Sequence, residues 1–217
     1  LDLRVEANGQ TLASFSDVAV NPPVVRLDIT VPAQAQANPQ TAEKSGTLDI
    51  VLAPGNAPIT VINFLRHVEE GYYPGTVFHR VYPGFMIQAG GLTYASNAYA
   101  NKQAIFPPIP LERTTVTGLS NIQFSVAMAR TSAVNSATSQ FFISVEDNSA
   151  TLDADGSQAV DPGNGYAVFG ELTASSRAES QQTIDLLNAI LAVPKSPSGE
   201  GTQPLNPPVI TGATRIR

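Results

Sequence analysis

The chain has 217 residues, 42% of them apolar and only 14% charged, with 12 Lys and Arg against 18 Asp and Glu. That length suits one all-β domain with a sizeable core, while the acidic balance and the lack of any Lys/Arg run exclude nucleic acid, whose phosphates need concentrated positive charge. With no cysteine, disulfides, thiolate chemistry and Cys-ligated metal are excluded together, and no apolar run approaches the roughly 20 residues that span a bilayer. The sequence begins at Leu1, and its two methionines are Met86 and Met128. An upstream segment, such as an export signal, is therefore expected to have been removed.

Residues 1–20 read as a hairpin about Asn8-Gly9, or equally as a loosely held N-terminal extension, and residues 21–217 as the main domain. Residues 24–29 form a strand by their β-branched content. The stretch PAQAQANPQTAEKSG at 32–46 is polar and broken by proline, hence a loop. Residues 47–52 make a second strand, so the pair suggests a hairpin with an extended tip.

A helix follows. Asn56 is placed to cap it, Pro58 is tolerated in its first turn, and Val61, Phe64, Leu65 and Val68 form one stripe. Gly71 stops it. His67, in its last turn, suits the negative end of the helix dipole. Two strands then flank Pro83-Gly84, and Gly90-Gly91 ends the second. Residues 92–110 carry no sustained period and read as a long surface loop. Strands are expected at 124–128, at 140–145 and at 166–169, the last ended by Gly170. A second helix spans 178–191, and 209–216 supplies a closing strand. Many short strands with two helices argue for a closed β architecture, because closure removes exposed edges.

The chemistry concentrates in residues 76–91, TVFHRVYPGFMIQAGG. Alternation places Phe78, Arg80 and Tyr82 on one strand face and His79 and Val81 on the other. An arginine among apolar residues needs a polar partner or an opening to solvent, and the same pattern fits a surface arginine lying over a sheet. Past the turn, Met86 and Gln88 share a face opposite Phe85 and Ile87. Met and Phe beside Gln make an adaptable apolar pocket with one hydrogen-bonding group, or plain core.

FHRVYPGFMIQAGG, with FSVAMARTSAVNSATSQFFISV and GYAVFGEL, resembles the cyclophilin family of peptidyl-prolyl isomerases, and its bacterial periplasmic-type branch in particular. The resemblance runs from about residue 24 to 169. It implies a mainly β fold, a closed eight-stranded antiparallel barrel capped by two α-helices. It implies that Arg80 is the catalytic arginine and that Phe85, Met86 and Gln88 line the substrate pocket. Ala129 and Arg130 would contact the residue before proline. Gln140 would be a second pocket glutamine, Phe142 the base of the proline pocket and Leu152 its apolar wall. Tyr166 stands where the eukaryotic pattern has His, and Thr151 where it has Trp.

In such a site a guanidinium donating to the prolyl nitrogen favours the twisted amide, in which that nitrogen has lost conjugation, over either planar isomer. No cofactor or metal is required. The expected partners are proline-containing polypeptides, unfolded or partly folded, met by a monomer. Cyclosporin-type cyclic peptides are expected to bind weakly at most, for want of the tryptophan. The motifs point to an exported bacterial protein, periplasmic or otherwise, with a cytoplasmic location also open.

The rivals are weaker. His79 reads as structural rather than catalytic. A Ser-His-Asp hydrolase has no GxSxG elbow to stand on. Asp153, Asp155 and Asp161 do not fit the EF-hand spacing and read as a solvated acidic loop. The serious alternative is a proline-segment binding module or chaperone on the same scaffold, with weak or no turnover.

Overall fold

The computed structural model describes residues 3–7, 10–15, 21–35, 37, 39–173, 177–197 and 201–217, with the backbone alone for 3–7, 10–15 and 177–180. In chain order the elements are β1 (Leu3–Ala7), β2 (Gln10–Phe15), β3 (Val24–Val31), β4 (Lys44–Leu52), α1 (Pro58–Glu69), β5 (Arg80–Tyr82), β6 (Met86–Ala89), β7 (Leu92–Ala95) and β8 (Ala98–Asn101). There follow α2 (Thr114–Thr117), β9 (Ser125–Met128), β10 (Phe141–Ser144), α3 (Ser149–Leu152), β11 (Val168–Leu172), α4 (Arg177–Leu191) and β12 (Val209–Arg215). β1 and β2 pair with each other antiparallel; the Asn8-Gly9 turn expected between them lies outside the described residues.

Eight strands form one antiparallel sheet in the order β12-β3-β4-β11-β9-β10-β6-β5. The number and the mainly β class agree with the sequence reading, but the sheet is not a closed barrel. It is an open, curled half-barrel. β12 and β5 stand at its ends, and the ladder does not join them. An isolated bridge between Val77 and Val209 and a bond from the Phe78 N–H to the Pro208 carbonyl (2.9 Å) cross the seam. Pro207 and Pro208 have no N–H to donate and β5 is only three residues long, so pairing cannot propagate there.

The main core lies inside the curl. β3 supplies Val25, Leu27 and Ile29, β4 supplies Leu48, Ile50 and Leu52, and α1 lays Val61, Phe64 and Val68 against them. Phe64 is fully buried, with ring centroids 5.1 Å from Tyr73, 5.6 Å from Phe141 and 5.0 Å from Phe169. Strand alternation splits each central strand between this core and a second cluster of Met86, Ala127, Phe142, Leu152 and Val168. Strands buried on both faces read as continuous apolar runs, as SVAM and FFIS do.

Asn56 does not cap α1. Its Nδ2 donates to the Thr117 carbonyl (2.9 Å), and the helix begins after Ala57, which has no capping side chain. The Glu112 carboxylate caps it instead, accepting from the Ile59 N–H (3.1 Å) and the Thr60 N–H (2.7 Å). A negative group at this end also meets the positive end of the helix dipole. Gly71 follows the C-cap with φ +63°, the left-handed conformation that glycine takes without strain.

Three other expectations change. Residues 92–110 are not all loop, because β7 and β8 form a hairpin turning at Ser96 and Asn97, both with positive φ (50° and 59°). That is the backbone of a type I′ turn without the usual glycine. β11 runs through Gly170 instead of ending there; a Cβ at that position would sit 2.6 Å from the Val51 carbonyl, so glycine lets β4 approach. Helices α2 and α3, single turns, join the two expected ones, of which α4 matches 178–191 closely.

Candidate active site

The turn from β5 to β6 sets the site. Arg80 pairs with Gln88 and Tyr82 with Met86 across this hairpin, while Val81 and Ile87 between them enter the core. Arg80, Met86 and Gln88 are thereby left on the outer face. Phe78 does not share it. It is buried in the main core, because the regular strand starts only at Arg80. Phe85 precedes β6 and packs on the outer cluster beside Tyr82 (centroids 5.6 Å apart), rather than inward with Ile87. The Asn148 side chain and the Val145 N–H both donate to the Phe85 carbonyl (2.8 and 3.0 Å), which fixes the turn.

β10 and β6 are register partners, with Phe142 opposite Gln88 and Ser144 opposite Met86. That pairing brings Phe142 onto the same outer face. The neighbouring β9 leads out to Ala129 and Arg130. The result is a cleft of about 110 Å³ lined by Arg80, Phe85, Met86, Gln88, Ala129, Arg130, Phe142, Leu152 and Tyr166. Nine of the ten candidate residues therefore converge on one cavity. The tenth, Gln140, lines an adjoining polar pocket of about 160 Å³ with Thr131, Ser136 and Thr138, and it touches the cleft through Gln88, whose Nε2 donates to Gln140 Oε1 (2.9 Å). Thr151 lines neither; the wall there is Leu152 and Tyr166. A larger apolar groove of about 720 Å³ runs past Pro54, Leu119 and Ile122, but its one charged lining residue is Glu171 and it has no cationic donor.

The far wall is held from behind. The Arg130 side chain is only 3% exposed and turns inward. It donates to the Gly165 carbonyl from Nε (2.9 Å) and Nη2 (2.7 Å), pairs with Asp161, and lies 4.9 Å from the Tyr166 ring centroid. Its guanidinium thus organises the wall. Arg113 grips the same loop through the Gly163 carbonyl and Asn164 Oδ1 (both 2.8 Å). Asp153 is buried and accepts from Ser120 and from the Asn121 backbone and side chain. The loop is therefore pinned at both ends and not simply a solvated acidic segment. Hydrogen bonding to Asn164 first, then to Arg130, holds the Asp161 carboxyl below its ordinary pKa. Among the described residues no three His, Asp or Glu side chains come together to hold a metal ion, and no helix is long and apolar enough to cross a membrane.

His67 is buried and His79 half-buried. His67 is fully buried, its Nδ1 2.8 Å from the Asn63 carbonyl, so its surroundings and not the helix dipole govern it. Burial pushes its pKa down, opposed by the Asn63 hydrogen bond and aided by the Arg66 charge. Burial also lowers His79, against the Val77 carbonyl hydrogen bond, with the Arg80 charge helping and a Gln140 hydrogen bond opposing. A ring kept neutral in the fold but protonated in the unfolded chain costs stability once pH falls below its unfolded pKa of 6.5. Stability is full above that pH, falls below it, and the fall ends beneath the folded-state values. The melting temperature is expected to drop between pH 7 and pH 5, with a shallower drop in His67→Gln. Equal pH slopes for the two proteins would show that His67 plays no part.

A family model for cyclophilin-type peptidyl-prolyl cis-trans isomerases matches residues 39–215. The chain belongs to that family. Relatives include the peptidyl-prolyl cis-trans isomerase cyp18 of Streptomyces antibioticus, 40% identical over 78% of this chain and 92% of its own length. The isomerase of Acinetobacter baylyi is 38% identical over 79% of this chain and 81% of its own. The crystal structure of a Cryptosporidium parvum cyclophilin covers 90% of this chain and 98% of its own at 22% identity, with a TM-score of 0.61, a likeness of fold. The same parasite protein crystallised in the presence of the dipeptide Ala-Pro gives a TM-score of 0.58 at 21% identity. This cyclophilin is thus an isomerase of X-Pro peptide bonds.

The sequence reading of this cyclophilin missed the supports of the site. Asn148, Arg113 and Asn164 act from segments distant in sequence, and no local pattern marks them.

Proposed function

We propose that the cleft seats the proline ring of an X-Pro segment against Phe85, Met86, Phe142 and Leu152, and that Arg80 donates to the prolyl nitrogen as the amide twists. The observation that carries this is the single cavity in which Arg80 and Gln88, register partners on β5 and β6, stand beside that apolar floor. The amide barrier is roughly 18–20 kcal/mol because conjugation holds the bond planar. Conjugation is lost as the bond twists, and the nitrogen lone pair becomes an acceptor. A donor fixed beside it binds that state better than either planar isomer, which is the requirement for rate acceleration. Arginine keeps its charge at working pH and offers several N–H groups in a rigid fork. Gln88, braced by Gln140, holds the acyl side while the ring stays seated.

Intermolecular NOEs from a bound X-Pro peptide test the seat. Contacts from the proline ring to Phe85 and Phe142 are expected. Contacts instead to Pro54 and Ile122 in the larger groove would contradict it.

The same reading aligns the chain with the exported, periplasmic branch, supported by Tyr166 where the eukaryotic pattern has His. Fractionation of the source cells tests this, and a purely cytosolic pool would contradict it. Proline-containing, unfolded or partly folded chains are the proposed clients. Cyclosporin is expected to bind no more tightly than micromolar, since Leu152 and Tyr166 form the wall and the chain has no tryptophan to donate to it. Calorimetry giving a submicromolar Kd would refute that.

A further inference from the structure

Gln140 stands just outside β10, where its backbone carbonyl accepts from the Ala129 N–H (2.9 Å) and its side-chain oxygen accepts from Gln88 Nε2 (2.9 Å). Its side chain lies flat over one residue. A Cβ placed on Gly91 would overlap Cγ, Cδ and Nε2 of Gln140 at once. The neighbouring Gly90 is explained by its own backbone, with φ +82° and the Ser139 carbonyl 2.7 Å from where a Cβ would be. Gly91 has no such positive φ, and its backbone conformation is open to any residue. What requires glycine at 91 is the amide resting on it.

We propose that Gly91 is a positioning residue for catalysis: it provides the floor on which Gln140 lies, and Gln140 in turn holds Gln88 beside Arg80. The inference rests on the reading above that Gln88 works at the substrate. Its consequence is that a methyl group at 91, well outside the cleft, lifts the Gln140 side chain, releases Gln88 and disorders the donor set from behind. A displacement of about 1 Å in such a set is enough to slow a reaction severalfold to a hundredfold.

The test is a double-mutant cycle on Gly91→Ala and Gln140→Ala, with kcat and KM measured on an X-Pro peptide and melting temperature measured alongside. Each single variant is expected to lose about tenfold in kcat/KM, mainly through kcat. The double variant is expected to match Gln140→Ala alone, because truncated Gln140 leaves nothing for the new methyl to strike. The double is also expected to regain whatever melting temperature Gly91→Ala loses, which settles the case where the single variant folds poorly. An additive loss of about a hundredfold in the double, or wild-type kcat/KM in Gly91→Ala, would overturn the proposal. Gln88→Ala separates the two layers. If Gln88→Ala keeps full activity, the reading of the site fails; if it loses activity while Gly91→Ala does not, the Gly91 relay fails alone.

Discussion

Replacing Arg80 with alanine is expected to lower kcat/KM on an X-Pro peptide by about 10²–10³-fold, the usual cost of removing one preorganised transition-state donor. The melting temperature should stay within a few degrees, because Arg80 lies on the outer face of a three-residue strand whose inward side chain is Val81. Lysine at this position keeps a positive charge but loses the planar fork, and the compact ammonium is held less firmly over the nitrogen. Arg80→Lys should therefore recover only a small part of the rate. Protease-coupled turnover of all three proteins measures this. Full activity in Arg80→Ala would remove the arginine from the mechanism.

The second large effect concerns stability. Phe64 reaches from α1 into the aromatic cluster of Tyr73, Phe141 and Phe169, and it is fully buried. Phe64→Ala removes apolar surface and leaves a cavity that three large rings cannot collapse around. Such truncations cost about 3–5 kcal/mol. For a chain of this size that corresponds to a fall of roughly 6–20 °C in melting temperature. Phe141 is the link to function, since it alternates along β10 with Phe142, the floor of the cleft. Because the cavity opens on the other side of the sheet, kcat at low temperature should survive while thermal stability does not. Calorimetric unfolding checks the first half and cold assays the second. A drop below about 2 °C would mean that the core repacks around the missing ring.

Much of this site is legible in the sequence. Most residues that line the cleft fall within 80–88 and 129–142, with Leu152 and Tyr166 apart, and strand alternation alone puts Met86 with Gln88 on one face. The errors have local causes. Alternation was carried back to Phe78 although pairing begins at Arg80, and carried through the turn to Phe85, where the backbone is not a strand. Closure was inferred from the wish to hide edges, but two consecutive prolines ahead of β12 withhold the donors needed at the seam. Arg130 does line the cleft, and its guanidinium also faces Gly165 and Asp161, a partner 31 residues along the chain that the resemblance did not indicate. Long-range pairings such as Glu112 with α1 leave no periodic trace, so only the folded arrangement shows them.

The central claim is that Arg80 stabilises the twisted amide more than it holds the peptide. It is tested most directly by magnetisation-exchange NMR on an X-Pro peptide saturating the protein, which reads the on-enzyme cis–trans rate separately from Kd. The account predicts that Arg80→Ala binds the peptide within a few-fold of wild type while that rate falls by about 10²-fold or more. An unchanged on-enzyme rate with a weakened Kd would contradict it, and would make Arg80 a substrate anchor rather than the catalytic donor.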